Sequence, residues 1–234
     1  MIKIEKLNTL KQNLSITVVT IDGGAGTGKG TQRSLISRFL GFHGLDSGVL
    51  YRAVGYKVHS ENIPIEDIET IESIALNLNI ETKGENVIID GFDRTKIVRS
   101  DEVGGKYSSM VAKIPEVRAA LNKLQLSKRK YPGLVSDGRD QGFVFDTPYR
   151  FFLKTRPEIR AQRRVKQFER MGLPANYNDI LEEILRRDHS DVNNPANPLK
   201  PHPRAFIIDN SNLKIKETAK IILCACQLKK AFHY

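Results

Sequence analysis

Lys29 stands at the end of the most specific stretch in this chain, Gly23-Gly24-Ala25-Gly26-Thr27-Gly28-Lys29, and Gly30 and Thr31 follow it. Glycines let consecutive backbone N–H groups turn inward around an anion, because no Cβ forces them outward. A lysine closing such a loop brings a mobile full charge to the outer phosphates of a bound polyphosphate. The loop works only with a strand before it and a helix after it. The helix then points its unbonded N–H groups and positive dipole end at the same anion. Both are legible. Ile16-Thr17-Val18-Val19-Thr20-Ile21-Asp22 reads as a buried, β-branched strand, and Leu35, Ile36, Phe39 and Leu40 recur at helical spacing from Gln32 to Leu40. The general pattern has Ser or Thr directly after the lysine. Here Gly30 stands there, so Thr31 becomes the candidate hydroxyl ligand of a metal ion.

Two further groups have the types and positions for phosphate chemistry. Leu134-Val135-Ser136-Asp137-Gly138-Arg139-Asp140 reads as a short buried strand that ends in a carboxylate. An acid at the end of the strand beside a phosphate-loop strand holds Mg²⁺ directly or through water, and Asp137 fits that place. Arg139 and Asp140 would then emerge at the edge where two phosphates meet. The plain reading is a polar Asp-Gly turn. Upstream, Asp46 or Ser47 can cap a helix that carries Tyr51 and Arg52 in its first turns. A second βα unit delivers its loop to the same sheet edge, where Arg52 would face a second anion. Its plain reading is a surface arginine on an ordinary helix.

The elements that must position these groups alternate. Ile63 to Leu78 has a helical apolar face, and Ile80-Glu81-Thr82 with Asn86-Val87-Ile88-Ile89-Asp90 reads as a hairpin around Lys83-Gly84. Helices follow from about Ser100 to Lys113, weakened by Gly104-Gly105, and from Pro115 to about Lys130. This stretch is too long for a simple crossover and reads as a subdomain over the sheet edge. Arg150 to Leu153 and Ala205 to Asp209 read as strands, Pro157 to Met171 as a helix, and Asn178 or Asp179 as the cap of a helix to about Asp188. The Pro- and Asn-rich run from Asp191 to Pro203 precludes regular structure, and Leu213 to Phe232 closes the chain as a helix. The alternation predicts an α/β fold with a mostly parallel sheet and helices on both faces.

Bulk properties set outer bounds. The 234 residues suffice for one large α/β domain, with 40% hydrophobic and 27% charged residues. The net charge of +10 fits nucleic acid, a membrane surface or a polyanionic small substrate. The basic residues are scattered rather than blocked, which argues against a basic arm. Cys224 and Cys226 lie two apart on a helix and point to different sides, so neither a disulfide nor a chelate is favoured. No apolar run reaches membrane-spanning length, and Met1 to Ser15 lacks a signal-peptide core. The expectation is a cytoplasmic protein whose residues 1–14 form a leader.

In order and spacing, the chain from Ser15 onward resembles the cytidylate kinases. The matching pieces are Thr20-Ile21-Asp22-Gly23 with the Gly-Lys-Gly-Thr loop, Leu45-Asp46-Ser47-Gly48 leading to Tyr51-Arg52-Ala53, and Ser109 with Ala112, Pro115, Val117 and Arg118. Asp137-Gly138-Arg139-Asp140-x-Gly142, Phe152-Leu153, Arg160-Ala161-x-Arg163-Arg164, and Arg187-Asp188-x-x-Asp191 with Pro198-Leu199 complete the set. The resemblance implies a P-loop NTPase-type three-layer α/β/α fold with a five-stranded core sheet. A monophosphate-binding insert would occupy about 54–132 and a lid about 172–203 of one domain from 15 to 234. It implies ATP- and Mg²⁺-dependent phosphorylation of CMP or dCMP by a monomer, with no nucleic-acid or membrane partner. In that reading Gly23, Gly24, Ala25, Gly26, Thr27, Gly28, Lys29, Gly30 and Thr31 cradle the ATP phosphates, with Arg160 and Arg164 on the ATP side. Arg52 and Arg139 clamp the CMP phosphate, and Ser47 and Tyr51 border it. Ser109, Arg118 and Asp140 read the cytosine edge, Arg187 and Asp191 approach the ribose and the closing phosphates, and Asp137 and Thr31 serve the metal.

The chain departs from that family in the lid. Positions 190 and 194 are usually basic there, and here they are Ser190 and Asn194; Phe143 stands where the family has Thr. The expectation is a kinase of altered or slowed turnover unless Lys200, Arg204 or Arg156 substitutes. The alternatives are a kinase for another monophosphate, UMP or AMP, and a weakened, nucleotide- or nucleic-acid-binding homologue. The base-edge set argues against the first, and the retained Lys29, Asp137, Arg52 and Arg139 against the second.

Overall fold

The computed structural model describes residues 16–83, 86–170 and 172–231. The proposed leader, residues 1–14, lies outside them. The described chain divides into two compact units, one of residues up to Leu45, Arg129–Asn194 and from Pro198, the other of Asp46–Lys128 and Pro195–Asn197.

The first unit is built on a five-stranded sheet. Its strands are β1 (Thr17–Gly23), β2 (His43–Asp46), β6 (Gly133–Gly138), β7 (Tyr149–Lys154) and β8 (Phe206–Asp209), in the order β2-β6-β1-β7-β8. β1 pairs in parallel with β6 and β7, and β7 with β8. Every residue of β6 is buried, as the uninterrupted apolar run anticipates for a central parallel strand. Helix α1 (Lys29–Leu40) sends Ile36 and α10 (Ile215–Ala231) sends Ile222 and Cys226 into a core with Val19, Ile21, Val135, Phe151 and Leu153. Helices α8 (Pro157–Arg170) and α9 (Tyr177–Val192) pack on each other through Ala161, Ile180 and Ile184. The short α7 (Gln141–Val144) follows β6.

The second unit holds α2 (Ser47–Ser60), α3 (Ile68–Leu76) and an antiparallel sheet of β3 (Ile80–Lys83), β4 (Asn86–Ile89) and β5 (Phe92–Asp93). The short α4 (Thr95–Val98) and α5 (Ser108–Val111) and the longer α6 (Pro115–Ser127) complete it.

The long elements agree in type with the sequence, and most of the differences fall at their ends. The helix expected from Ile63 begins at Ile68, because Asp67 caps it by accepting from Thr70 N at 3.1 Å. The stretch expected as one helix from Ser100 is π-wound over Asp101–Tyr107, around Gly104-Gly105, before α5. Asn176, not Asn178 or Asp179, caps α9, which continues past Asp188 to Val192. Thus Asp191 lies on a helix rather than in the irregular run. α6 stops at Ser127 rather than near Lys130, and the closing helix starts at Ile215 rather than Leu213. The helix ends expected at Met171 and Phe232 lie outside the described residues. α4, α7 and β5, four, four and two residues long, were not anticipated.

Candidate active site

The sheet brings the two phosphate-directed motifs of the first unit to one edge. In the β1–β6 register Ile21 lies opposite Asp137 and Asp22 opposite Gly138, so the glycine loop and the Gly138-Arg139-Asp140 turn leave adjacent strands side by side. Glycine at 23 is required by space, since a Cβ there would come within 2.4 Å of Leu153 O. Gly28, at φ 90°, caps α1 in the left-handed region that favours glycine. Lys29 Nζ donates to Gly24 O at 2.7 Å and Thr27 Oγ1 to the same oxygen at 2.9 Å, which folds the loop over its own lysine. Asn210 Nδ2 braces the loop by donating to Thr27 O at 2.9 Å.

Arg160 is 4% exposed. Its Nη1 donates to Ala25 O of the loop at 2.9 Å and to Asp188 Oδ1 at 2.8 Å, its Nη2 to Asp188 Oδ2, and its Nε to Thr155 O at 3.1 Å. α8 and α9 are thereby tied to the loop by one bidentate pair. Arg164 instead lies over the Phe168 ring at 5.4 Å. Arg139 Nε donates to Asp191 Oδ2 at 2.8 Å, so the last turns of α9 reach both motifs. Arg187 is half-buried on the same helix.

Asp137 is buried, and Arg33 Nε donates to its Oδ1 at 2.6 Å. Among the described residues no group of three or more His, Cys, Asp and Glu is arranged to cage a cation. The donor set nonetheless fits Mg²⁺, which takes one or two carboxylates and completes its shell from phosphate and water. Asp137 offers the carboxylate and Thr31, exposed in the first turn of α1, the hydroxyl.

The second unit groups other predicted residues. Asp46 caps α2 by accepting from Val49 N at 3.3 Å, and Ser47 is the buried first residue of that helix. Tyr51 and Arg118 meet, the guanidinium lying 5.6 Å from the ring centroid, and Arg118 Nη1 also donates to Ala112 O at 3.3 Å. Ser109 is exposed, with its hydroxyl donating to Gly105 O at 2.7 Å. Arg52 is half-buried on α2.

Several structural partners were not singled out from the sequence. Asp22 is 4% exposed, and its carboxylate accepts from Gln141 N at 2.8 Å and Gly142 N at 2.7 Å. Burial pushes its carboxyl up to about 7, against the pull of these two N–H groups and of Lys29. Arg150, also buried, donates from Nε to Gly142 O at 2.8 Å and from Nη2 to Phe145 O at 3.3 Å. Arg33 and Asp188 complete this set.

The comparisons with known proteins agree with one another. Residues 19–228 match the family model described as cytidylate kinase. The cytidylate kinase of Acinetobacter baylyi is 39% identical over 220 residues, 90% of this chain and 96% of the relative. That of Acinetobacter baumannii (strain AYE) is 40% identical over the same length and shares. That of Pseudomonas aeruginosa (strain UCBPP-PA14) is 34% identical over 223 residues, 92% of this chain and 97% of the relative. With a match of this extent, which spans both the glycine loop after β1 and the Asp-Gly-Arg-Asp turn at the end of β6, the chain belongs to the cytidylate kinase family.

Proposed function

We propose that the protein transfers the γ-phosphoryl group of ATP to cytidine monophosphate or its deoxy form, as the Mg²⁺ complex of ATP, and yields the two diphosphates. A phosphate oxygen of the acceptor attacks the γ-phosphorus, and the bond to the bridging oxygen of ADP breaks. Two polyanions must be held against their repulsion, so positioning and charge neutralisation carry most of the catalysis. The observation that most supports this reading is the register that sets Ile21–Asp22 beside Asp137–Gly138, with the glycine loop from Gly23 and the residues Arg139 and Asp140 following at the same edge.

The loop from Gly23 to Thr31, with Lys29 leaving Gly24 O for the substrate, would bind the ATP phosphates; Arg160 and Arg164 would act on that side. Arg52 and Arg139 would hold the acceptor phosphate, and Arg187 and Asp191 would complete the charge balance of the closed site. Ser47 and Tyr51 would border the acceptor, and Ser109, Arg118 and Asp140 would read its base. Asp140 can accept from the cytosine amino group, whereas it repels the uracil carbonyl. Bound Mg²⁺, held by Asp137 and Thr31, would neutralise developing charge on the phosphates. In the same reading residues of about 54–132 form the acceptor insert and of about 172–203 the lid, in a cytoplasmic monomer that acts on small molecules.

A coupled assay of ADP production, with ATP and Mg²⁺ and with CMP, dCMP, UMP and AMP as acceptors, tests the proposal. Turnover with CMP or dCMP and little with AMP is expected. Equal rates with all four, or none with CMP, would reject it.

A further inference from the structure

Gln141 is fully buried, and its side chain bridges a group inside β6 and one beyond its end. Its Nε2 donates to Asp140 Oδ1 at 3.3 Å, and its Oε1 accepts from the Ser136 hydroxyl at 2.6 Å. We propose that Gln141, aligned by Ser136, is a positioning residue that fixes the Asp140 carboxylate and so sets the preference for a base with an amino group over one with a carbonyl. The inference rests on the proposed base-reading role of Asp140.

The direction of this chain of hydrogen bonds follows from charge. A carboxylate accepts only, so the amide must turn its NH₂ toward Asp140 and leave its carbonyl for another donor. Ser136 supplies that donor from inside β6, with no exposure of its own. The reversed amide would set two acceptors against each other in a site closed to water, which is costly. Ser136 therefore locks one orientation of Gln141, and Gln141 in that orientation holds Asp140 Oδ1.

The backbone around the pair is held independently. Asp140 occupies the N-cap position of α7, where an aspartate ordinarily turns its carboxylate back onto the helix. Its side chain makes no such bond. Asp22, from the neighbouring strand, accepts from Gln141 N and Gly142 N instead. Arg150 Nε holds Gly142 O from the other side. Capping is thus delegated to Asp22, and the Gln141 amide is one of the groups that hold the Asp140 carboxylate.

The test compares kcat/KM for CMP and UMP in Gln141→Leu, Ser136→Ala, Ser136→Thr and Asp140→Asn, with thermal unfolding of each. Leucine keeps the buried volume of Gln141 and removes its donor. The CMP-over-UMP ratio is expected to fall about tenfold in Gln141→Leu, the scale of one lost hydrogen bond to a charged group, and the loss to fall mainly in KM for CMP. Ser136→Ala shifts the ratio the same way by less, Ser136→Thr restores it, and the double variant Ser136→Ala/Gln141→Leu is no worse than Gln141→Leu alone. A purely structural role would lower activity with both acceptors alike, and that result, or an unchanged ratio, overturns the proposal. Should Gln141→Leu fail to fold, the Ser136 pair decides. If Asp140→Asn keeps the wild-type ratio, the base-reading role of Asp140 is wrong and the inference falls with it. If Asp140→Asn loses the ratio while Gln141→Leu keeps it, the inference alone is overturned.

Discussion

At the scale of single residues, the groups that local spacing defines were legible and their distant partners were not. Lys29, Asp137, Arg139 and Asp140 lie in runs whose glycines and strand patterns identify them. Arg33 and Asp188 acquire meaning only through the residues they meet, Arg33 at Asp137, 104 positions away, and Asp188 at Arg160, 28 away. Nothing in its own neighbourhood marks Arg33, and Asp188, though it stands in the Arg187-Asp188-x-x-Asp191 piece, has no partner indicated there. Asp22 belongs to the recognised stretch, but its capping of α7 joins residues 119 and 120 apart. That burial makes a prediction. Unfolded, Asp22 titrates near 3.8; folded, it is raised to about 7 by desolvation. Between these values the folded chain binds a proton that the unfolded chain has lost. Its contribution to stability is therefore full at acid pH, declines as pH rises through the window, and is gone above neutrality. The slope is at most roughly 1.4 kcal/mol per pH unit. Urea unfolding at about pH 5 and about pH 7.5 should show a smaller loss between the two in Asp22→Asn than in the wild type. Equal losses would mean that Asp22 stays ionised in the fold.

Among elements, period identified the long helices and strands, whereas capping decided where they end. α9 illustrates this. A cap at Asn178 or Asp179 predicted a helix to about Asp188, but the cap at Asn176 and the continuation to Val192 placed both Asp188 and Asp191 within its last turns. From there Asp188 grips Arg160 and Asp191 grips Arg139. The four-residue α7 is shorter than any periodic signal and escaped notice for that reason. Removing one member of the Arg160 pair leaves a guanidinium, 4% exposed, without its carboxylate. Asp188→Ala should cost about 3 kcal/mol, the low end for a broken buried pair because the Asp188 side chain is 28% exposed. It should also raise KM for ATP, because Arg160 holds Ala25 of the phosphate loop. Denaturation and steady-state kinetics separate the two effects. A stability loss with unchanged KM would confine the pair to scaffolding.

Ser190 in the last turn of α9 and Asn194 just beyond it are the two positions where the resemblance leads one to expect a basic residue. An arginine at 194 that reached a phosphate in the closed state would supply transition-state charge that the Asn194 amide cannot. Asn194→Arg should raise kcat, by about tenfold or more, with a smaller change in KM. Unchanged turnover would show that another basic group, such as Lys200 or Arg204, already does that work.

For the whole molecule, the fold class was legible because strands and helices alternate along the entire chain. The division into units falls where the chain leaves the sheet at Asp46 and returns after Lys128, the long stretch that no simple crossover explains. The charge of +10 belongs to this scale too, since no single cluster accounts for it. Both substrates of the proposed reaction are polyanions, and an excess of scattered positive charge raises their local concentration at the surface. Such long-range attraction is screened once the Debye length falls from about 10 Å at 0.1 M salt to about 3 Å at 1 M. Contacts inside the site, between N–H groups and phosphate, are screened far less. KM for both nucleotides should therefore rise severalfold from low to high salt, while kcat changes little. A parallel fall in kcat would place the sensitive charges in the closed site itself. An insensitive KM would show that the net charge has no part in substrate capture and serves some other contact.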